Sequence, residues 1–591
     1  MVRNRLVPFL LASFVATGAA AQGAKGASPP QESEEPTFFE SIDVQVINVE
    51  VFVTDRGGKR VTGLTREDFE ILEDRQPIEV SNFYAVDAGK AQIGSGPVDQ
   101  GVAEGEGSLI DEPAPAEEGK PSEQRLHLAI VLDDLTMTPQ NRNRLVQAIE
   151  TSVLPRLQPD DRAMVAILNG GSVQITQRLT ADRTLLQKTL EEAMKSSSQG
   201  IARVSDLRNL VAQIEGTGLG GTDQQAVLNA AAAGEAYHAL RAYSQQRLMQ
   251  SRASLSSLAS FIESLSGLPG RKAVLFVSSG LSARPGQAIF DAWQAKFGAQ
   301  LSGGLGASNF DGMREDLSKD IKVLVEHANA NRVTFYTLGA TDEVTGLSAE
   351  FGSSSSFGRD LAALEQMNIN QSLELLAGGT GGLSGINLFN PGTMLDRMYQ
   401  DFDSYYSLGY VPTRRRDGKN RKIEIRIRGR NDLTVRHREG RRDQTTKERL
   451  TDRTLAALLL DPGANPLEVA IDFVDEEKEK DHYKVEVLVK FPLGKLVLLP
   501  KERFHEGRVT VFVGARDERG RLSPIQEIDV PIRVANDQLL TALGQTAAYK
   551  ATLLLRPQEH RVAVSVRDEL GNVDSSLATS YTPGSQPEKG R

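Results

Sequence analysis

Cysteine is absent from the 591-residue sequence. This absence excludes disulfides, thiolate zinc sites, thiol nucleophiles and a lipid-modified N-terminal cysteine. The seven histidines are scattered and form neither an HExxH motif nor a close pair, so metal binding would depend on oxygen ligands or on single histidines. An excess of positive charge is also lacking: the formal net charge is -10, which argues against nucleic acid as a partner.

The apolar run near the N-terminus, Leu6 to Val15, is shorter than the roughly 20 residues that a membrane-spanning helix needs. Two arginines precede this run and three alanines follow it, which is the three-part pattern of a secretory signal peptide. We therefore expect residues 1–21 to be a signal peptide and residues 22–37 to be a disordered lead-in. The mature protein is expected to be exported, periplasmic or extracellular, and not membrane-spanning.

The remaining composition, 39% apolar and 25% charged, is that of a folded protein, and the length predicts roughly three or four domains. Residues 38–87 alternate apolar and polar positions in four short runs, including KRVTGL, and predict half of a β-sandwich. Residues 88–124 are rich in glycine, proline and glutamate and predict an acidic disordered linker, because they contain too little apolar surface to fold.

Residues 125–401 alternate buried strands with amphipathic helices, which predicts a mostly parallel, doubly wound α/β sheet with helices on both faces. Its first strand, LHLAIVLDD, is apolar until it ends at two carboxylates. Ligands of such sheets collect beyond the carboxyl ends of the strands. We therefore expect the binding site of this domain to lie there.

Asp134, Thr136 and Thr138 form an Asp-x-Thr-x-Thr pattern directly after that strand. A carboxylate and alternate hydroxyls on one turn can face a hard cation, since Mg²⁺ and Ca²⁺ prefer oxygen ligands. The alternative interpretation is that Asp133 and Asp134 only cap the helix that starts near Gln140. The pattern alone favours neither interpretation.

Beyond the α/β domain, residues 402–443 predict three more strands, and residues 444–465 predict a linker helix. Neither 38–87 nor 402–443 has enough strands for a sandwich of its own, so we expect the two segments to form one composite seven-stranded sandwich. Residues 466–582 predict a C-terminal sandwich of immunoglobulin or fibronectin type, and residues 583–591 a disordered tail.

Three sequence pieces together carry a family resemblance: VFVTDRGGKRVTGLTREDFEILEDRQPIEVSNF, LPGRKAVLFVSSG and SYYSLGYVPTRRRDGKNRKIEIRIRG. With the Asp-x-Thr-x-Thr pattern and a GGT at 220–222, they resemble the von Willebrand factor type A domain, and most closely the exported, acidobacterial-type VWFA-related proteins. The resemblance covers roughly residues 40 to 445.

The resemblance implies a metal-ion-dependent adhesion site. Asp134, Thr136 and Thr138 match its first motif, and Thr222 matches its threonine. Ser279 stands where that family has a later aspartate, so one charge is missing. The tandem Asp133-Asp134 could restore that charge, or either of the two could be the true ligand. The resemblance thus implies a degenerate site that holds Mg²⁺, or Ca²⁺ or Mn²⁺, weakly.

No convergent set of acid, base and nucleophile is present, so we do not expect an enzyme. Ser278-Ser279-Gly280 is not a nucleophile elbow, because Val277 occupies the glycine position. We expect an exported adhesion or protein-interaction module whose ligand is a protein or peptide, bound through a carboxylate that completes the cation's coordination. The alternative is a structural or assembly protein of the cell envelope whose type A domain has lost its metal.

Overall fold

The computed structural model describes residues 46–87, 90–93, 125–218, 222–268, 270–301, 316–339, 356–386, 390–412, 417–459, 465–518 and 521–584. All of them belong to one unit, Gln45–Arg591. The predicted signal peptide and lead-in lie outside the described residues, as do most of the predicted linker 88–124 and all but two residues of the predicted tail 583–591. Among the described helices, none is both long enough and apolar enough to cross a membrane.

The N-terminal strands are β1 Ile47–Thr54, β2 Phe69–Glu73, β3 Gln76–Ile78, β4 Val80–Asp87 and β5 Lys90–Ile93. Two expectations were wrong here. The run KRVTGL contributes only an isolated bridge between Thr54 and Arg60, and beyond this bridge Tyr406 Oη donates to Val61 O and accepts from Leu64 N. The predicted linker also begins with a strand, since β5 pairs with β4.

The central segment contains a six-stranded sheet and eight helices within the described residues. The strands are β6 Leu126–Asp133, β7 Arg162–Asn169, β8 Ser172–Thr180, β9 Arg271–Ser278, β10 Val333–Gly339 and β11 Ser384–Gly385. The helices are α1 Pro139–Ser152, α2 Arg183–Lys195, α3 Gly200–Gly216, α4 Asp223–Leu265, α5 Gln287–Leu301, α6 Ser318–Ala330, α7 Ser356–Gly379 and α8 Pro391–Asp403. Mixed α/β content is therefore present, as predicted.

The order of this sheet is β11-β10-β9-β6-β7-β8, with every neighbouring pair parallel except β7 and β8. Alternate residues of β6 enter two separate cores, because successive side chains of a strand point to opposite faces. Leu128 and Ile130 pack with α1, α2 and α8, whereas Ala129 and Val131 pack with α4, α6 and α7. Helices thus cover both faces of the sheet, and the strand ends remain as the edges at which a site can form.

The strands after the sheet are β12 Tyr405–Tyr410, β13 Asn420–Ile427, β14 Thr434–His437 and β15 Gly440–Arg442. They interleave with the N-terminal strands in two sheets, of order β14-β1-β12-β4-β5 and β15-β13-β2-β3. In the first sheet β12 lies between β1 and β4, with Leu408 opposite both Val49 and Phe83. Val49, Ile71 and Ile425 share one core, so each half of the chain buries the other's apolar face. Within the described residues, nine strands take part rather than seven.

A buried carboxylate joins these sheets to the central segment. Asp401, on α8, is 1% exposed and accepts hydrogen bonds from Arg436 Nη2, at 2.7 and 3.0 Å, and from Tyr336 Oη at 3.2 Å. Arg60 also pairs with it. Asp401 therefore links a loop after β1, strand β14 and strand β10 through one group.

The C-terminal segment begins with helix α9 Thr446–Leu459. Its strands are β16 Ala470–Glu479, β17 His482–Pro492, β18 Leu499–Pro500, β19 Phe504–Asp517, β20 Gln526–Ala535, β21 Thr546–Leu555, β22 His560–Asp568 and β23 Val573–Tyr581, with the short helix α10 Leu539–Leu543. The sheet β16-β17-β21 and the sheet of β18, β19, β20, β22 and β23 share one apolar core.

Candidate functional site

The candidate site lies at the carboxyl edge of the central sheet. Asp133 is the last residue of β6, and Ser278 is the last residue of the neighbouring parallel strand β9. Leu132 is opposite Val277 in the register of these strands, so the two polar residues that follow come side by side. The five residues before each of them, 128–132 in β6 and 273–277 in β9, are apolar, which fixes the two strands in the core and delivers Asp133 and Ser278 to the edge.

Three oxygen atoms form a triangle at this edge. Ser278 Oγ and Thr136 Oγ1 each donate a hydrogen bond of 2.6 Å to Asp133 Oδ2, and the two hydroxyl oxygens are 3.2 Å apart. Asp133 is 1% exposed and Ser278 is fully buried, whereas Thr136 is partly exposed. We name these three residues the oxygen triangle, and Thr136 is the member through which it can be reached.

Main-chain groups hold the triangle in place. Leu135 N donates to the other oxygen of Asp133, Oδ1, at 3.2 Å. Ser279 N donates to Thr136 Oγ1 at 3.1 Å, and Gly280 N donates to Ser278 Oγ at 2.9 Å. Gly280 has φ +119°, and a β-carbon there would collide with Ile369, so the turn requires glycine at this position. Each hydroxyl thus donates once and accepts once, which leaves one lone pair available on each.

Asp134 does not belong to the triangle. Its Oδ1 accepts from Arg142 Nη1 at 3.0 Å, and its Oδ2 accepts from Ser196 Oγ at 3.3 Å. Arg142 is completely buried and also donates to the carbonyl oxygens of Met194 and Ser196. Asp134 therefore supplies the charge that a buried guanidinium needs.

Two further predicted residues also lie away from the triangle. Thr138 is the N-cap of α1, and its hydroxyl accepts from Asn141 N at 3.4 Å, so the helix is capped by Thr138 and not by Asp133 or Asp134 as the capping alternative had it. Thr222 is exposed immediately before α4 and makes no hydrogen bond to the triangle in the described part of the chain. Ser279 is buried and contributes its N–H. Of the six predicted residues, the structure brings together Asp133, Thr136 and the main chain of Ser279.

The sequence does not predict two residues that the structure places at this site, Ser278 and Arg203. The comparison of motifs points to Ser279 and not to Ser278. Ser278 is nevertheless the last residue of a strand that is buried at every position. The sequence of residues 196–221, with its glycines and serines, predicts an insertion, and this prediction is wrong, because α3 occupies Gly200–Gly216 and carries Arg203. The register of β6 and β9 would have identified Ser278 as the neighbour of Asp133. The sequence of α3 is only weakly periodic and would not have identified Arg203.

Burial and neighbouring charge act on Asp133 in opposite directions. Burial raises the pKa of this carboxyl, while the hydrogen bonds from Ser278 and Thr136 and the charge of Arg203 lower it. A small cavity of about 40 Å³ adjoins the triangle and is lined by Thr136, Arg203, Arg247 and Ser282 among others. The surroundings of the triangle are thus basic.

The spacing of the triangle fits one face of an octahedral cation. Neighbouring ligands of Mg²⁺ at about 2.1 Å are about 3.0 Å apart. The distance of 3.2 Å between the two hydroxyl oxygens is close to this value, and the two hydrogen-bonded distances of 2.6 Å to Asp133 Oδ2 would lengthen as the hydroxyls turned their lone pairs to the cation. The charge fits less well, because the triangle has one carboxylate and Arg203 lies near it. Within the described residues there is also no group of three or more histidine, aspartate or glutamate side chains that could hold a metal.

Comparisons with known proteins do not show a family for this chain, so the interpretation of the site depends on its geometry. No family model matches the chain, and no characterised protein matches its sequence. One solved structure that matches is titled as an X-ray structure of Northeast Structural Genomics Consortium target SoR45. It is 12% identical over 21% of this chain and 91% of its own, with a TM-score of 0.13.

Proposed function

We propose that the chain is an exported protein-interaction module of the von Willebrand type A, VWFA-related kind, and that it binds its partner at the carboxyl edge of the central sheet. The observation that supports this proposal is the oxygen triangle of Asp133, Thr136 and Ser278, placed at the ends of two buried parallel strands beside a cavity. Such strand ends are where α/β sheets bind ligands. The proposed partner is a protein or peptide that presents a carboxylate.

Binding is a better proposal than catalysis for this edge. Ser278 Oγ is fully buried and donates its proton to a carboxylate, so a substrate could reach it only if the turn opened. In the described residues no histidine or lysine hydrogen-bonds to the triangle, and a hydroxyl nucleophile needs such a base. A divalent cation, if bound here, would supply an open coordination position for the partner's carboxylate.

The cation would be held weakly. Asp133 Oδ2 and the remaining lone pairs of Thr136 Oγ1 and Ser278 Oγ are the ligands that the chain offers, and they carry a single negative charge. Mg²⁺ is the ion whose preferred geometry matches the triangle, and Mn²⁺ and Ca²⁺ are the comparison ions. Asp133, and not Asp134, is the carboxylate that we propose for this role.

A second proposal is a structural or assembly protein of the cell envelope whose type A domain does not use a metal. Two observations favour it. Asp134 is engaged by Arg142, and Arg203 brings a positive charge close to Asp133. A guanidinium beside the only carboxylate of the triangle opposes the binding of a dication.

Thermal unfolding of the full chain with Mg²⁺, Mn²⁺ and Ca²⁺ distinguishes the two proposals. We expect Mg²⁺ to raise the melting temperature of the parent chain and not that of Asp133→Asn. Asp432→Asn is the matched control, because Asp432 is an exposed carboxylate on the β13–β14 turn, and it should respond as the parent does. A parent chain that responds to none of the three ions would favour the structural role.

A further inference from the structure

The small cavity beside the oxygen triangle is a candidate site of its own, and Thr136 belongs to both. We propose that this cavity binds the carboxylate of the partner directly, through Arg203, Arg247 and Ser282, so that a bound cation is not required. This inference rests on the proposed function, since its ligand is the carboxylate that the proposed partner presents. It differs in the group that receives the carboxylate.

Helices α3 and α4 bring the two arginines to one place. The lining residues on α4 share one face of that helix, because they are spaced by three or four residues: Tyr243, Arg247, Gln250 and Ser254. Arg247 Nη2 donates to Asp206 Oδ2 of α3 at 3.1 Å. Arg203 precedes Asp206 by three residues and therefore lies on the same face of α3. Both guanidinium groups consequently border the cavity.

The charged side chains that line the cavity are all positive. They are Arg203 and Arg247, and none of the described residues in the lining is acidic. Two carboxylates lie just outside it: Asp206 is half exposed, so solvent screens its charge, and Asp133 accepts from Thr136 and is influenced by Arg203. The charge of Arg203, which opposes a dication in the triangle, attracts a carboxylate in the cavity.

The guanidinium group of Arg247 is already held in position. Nη1 donates to Gln250 Oε1 at 2.9 Å, Nη2 donates to Asp206, and Cζ lies 5.1 Å from the centre of the Tyr243 ring. Nε is buried and has no hydrogen-bond partner in the described part of the chain. An arginine has five N–H donors, so donors remain for a ligand. Because the group is fixed beforehand, little side-chain entropy is lost when the ligand binds.

A buried hydroxyl without a partner is the second, independent observation. Ser282 lines the cavity and is 7% exposed, and its Oγ has no hydrogen-bond partner among the residues that the structure describes. Most buried polar side chains are hydrogen-bonded, so an exception of this kind needs an explanation. An oxygen of a carboxylate in the cavity is the acceptor that this O–H lacks.

The loop that carries Ser282 is fixed in place. Leu281 packs in the core beneath the sheet, and Leu317 N donates to Ala283 O at 2.8 Å. Gly286 approaches α4 so closely that a β-carbon on it would collide with Ser244. The cavity is therefore formed before a ligand enters it, as is usual for ligand sites.

The size and position of the cavity suit a carboxylate. Its volume is about 40 Å³, and a water molecule takes up about 30 Å³ in the liquid. It can thus hold the carboxylate of an aspartate or glutamate side chain but not a sugar ring or a base. Ser282 is buried, whereas Thr136, Arg203 and Gln250 are partly exposed, so the cavity can be entered from the carboxyl edge of the sheet. Arginine and carboxylate also match in geometry, since two N–H groups can meet the two oxygens.

The test uses the full chain in EDTA and two end-blocked pentapeptides. One is Gly-Ser-Glu-Ser-Gly, and the other has glutamine in place of glutamate. Saturation-transfer NMR can measure weak binding of such peptides to a chain of 64.2 kDa. We expect the glutamate peptide to bind at least about tenfold more tightly than the glutamine peptide, because hydrogen bonds between charged groups are the stronger ones.

Two variants localise the binding. Arg247→Gln should weaken binding of the glutamate peptide at least about tenfold. Arg284→Gln is the matched control, because Arg284 is an exposed arginine of the neighbouring loop that pairs with Asp316 and does not line the cavity, and it should bind as the parent does. Ser282→Ala should weaken binding at least about threefold without lowering the melting temperature of the free chain, since no hydrogen bond of the free chain is lost.

The outcomes separate this inference from the proposed function. Binding of the glutamate peptide in Mg²⁺ but not in EDTA would overturn the inference and leave the proposed cation site standing. No binding under either condition would contradict both. Equal binding of the two peptides in EDTA, or equal weakening by Arg247→Gln and Arg284→Gln, would show that the cavity does not receive the carboxylate and would overturn the inference alone.

Discussion

Arg142 Nη1 donates to Asp134 Oδ1 across 3.0 Å in a fully buried setting. This pair decides which of two adjacent aspartates faces the edge of the sheet. With Asp134 drawn toward α1 and the end of α2, the carboxylate of Asp133 is the one that receives Thr136 and Ser278. The carboxylate of the Asp-x-Thr-x-Thr pattern therefore faces Arg142, and Asp133, one residue earlier, is the carboxylate at the edge.

Asp134→Ala should destabilise the chain by about 3–5 kcal/mol, because Arg142 would remain buried without its counter-charge. Urea unfolding of the parent and the variant measures this change. Removing both charges in Asp134→Ala with Arg142→Met should recover much of the loss. A single variant as stable as the parent would show that other groups neutralise Arg142.

Stabilisation by Mg²⁺ should increase with pH. Burial raises the pKa of Asp133, and a cation needs the ionised carboxylate, so affinity should rise until the pH exceeds this pKa. Without the cation the sign is opposite: a raised folded-state pKa gives stability that is present below the unfolded pKa of about 3.9 and lost as the pH rises through the folded pKa. Melting temperatures measured with and without Mg²⁺, as the pH rises through the unfolded and folded pKa values of Asp133, test both directions of the pH dependence. Asp133→Asn should abolish the response to Mg²⁺ and should remove from the pH dependence of stability only the part that Asp133 contributes.

Asp452→Asn should stabilise the chain at neutral pH. Burial in α9 raises the pKa of Asp452 to about 6, so its favourable contribution is present below about pH 4 and is lost as the pH rises through about 6. A rise of the pKa from its ordinary value near 4 to about 6 corresponds to at most about 3 kcal/mol of unfolding free energy. Denaturant midpoints of parent and variant should separate above pH 6 and converge in acid. A difference between the two midpoints that is the same at every pH would contradict this prediction.

Deleting residues 22–87 should expose the strands after the α/β segment to proteolysis. The deletion removes β1 and β4, the two neighbours of β12, and also β2, the neighbour of β13. Apolar residues such as Leu408 and Ile425 would lose the core that they share with Val49. We expect rapid trypsin cleavage between about Arg414 and Arg442 and a tendency to aggregate. A monomeric, trypsin-resistant product would mean that these strands find other partners.

The elements that the sequence predicts best are those determined by their own periodicity. The segment from Gln224 to Leu265 is rich in alanine and is followed by a Pro-Gly pair, a pattern that predicts one long helix, and helix α4 spans Asp223–Leu265. Strand β6 is likewise apolar at nearly every position up to Asp133.

Helix α3 could not be predicted in the same way, because it depends on tertiary contacts. Residues 196–221, which include this helix, contain several glycines and serines, and this composition predicts an irregular insertion. The helix is stabilised by packing Val211 and Ile214 with Tyr237 of α4 and Trp293 of α5. Because the sequence does not predict the helix, it does not predict that Arg203 lies near Asp133 either.

The choice between Asp133 and Asp134 could not be predicted either. Both carboxylates follow the same strand, and the decision depends on Arg142, Met194 and Ser196, which the fold brings to one point from two separate helices. A motif defined by residue spacing covers only a short stretch of sequence, so it cannot include partners such as Ser196 that are far away in the chain.

The pairing of Val51 with Tyr406 joins residues 355 positions apart in the chain. At synthesis rates of about 5–20 residues per second, the partner strand of β1 is completed roughly 20–70 s after β1 itself. During that time the apolar alternation of β1, β2 and β4 has no native surface to cover it. A chaperone that holds unfolded strands should therefore protect this protein most through its first 90 or so residues, long after those residues have been made.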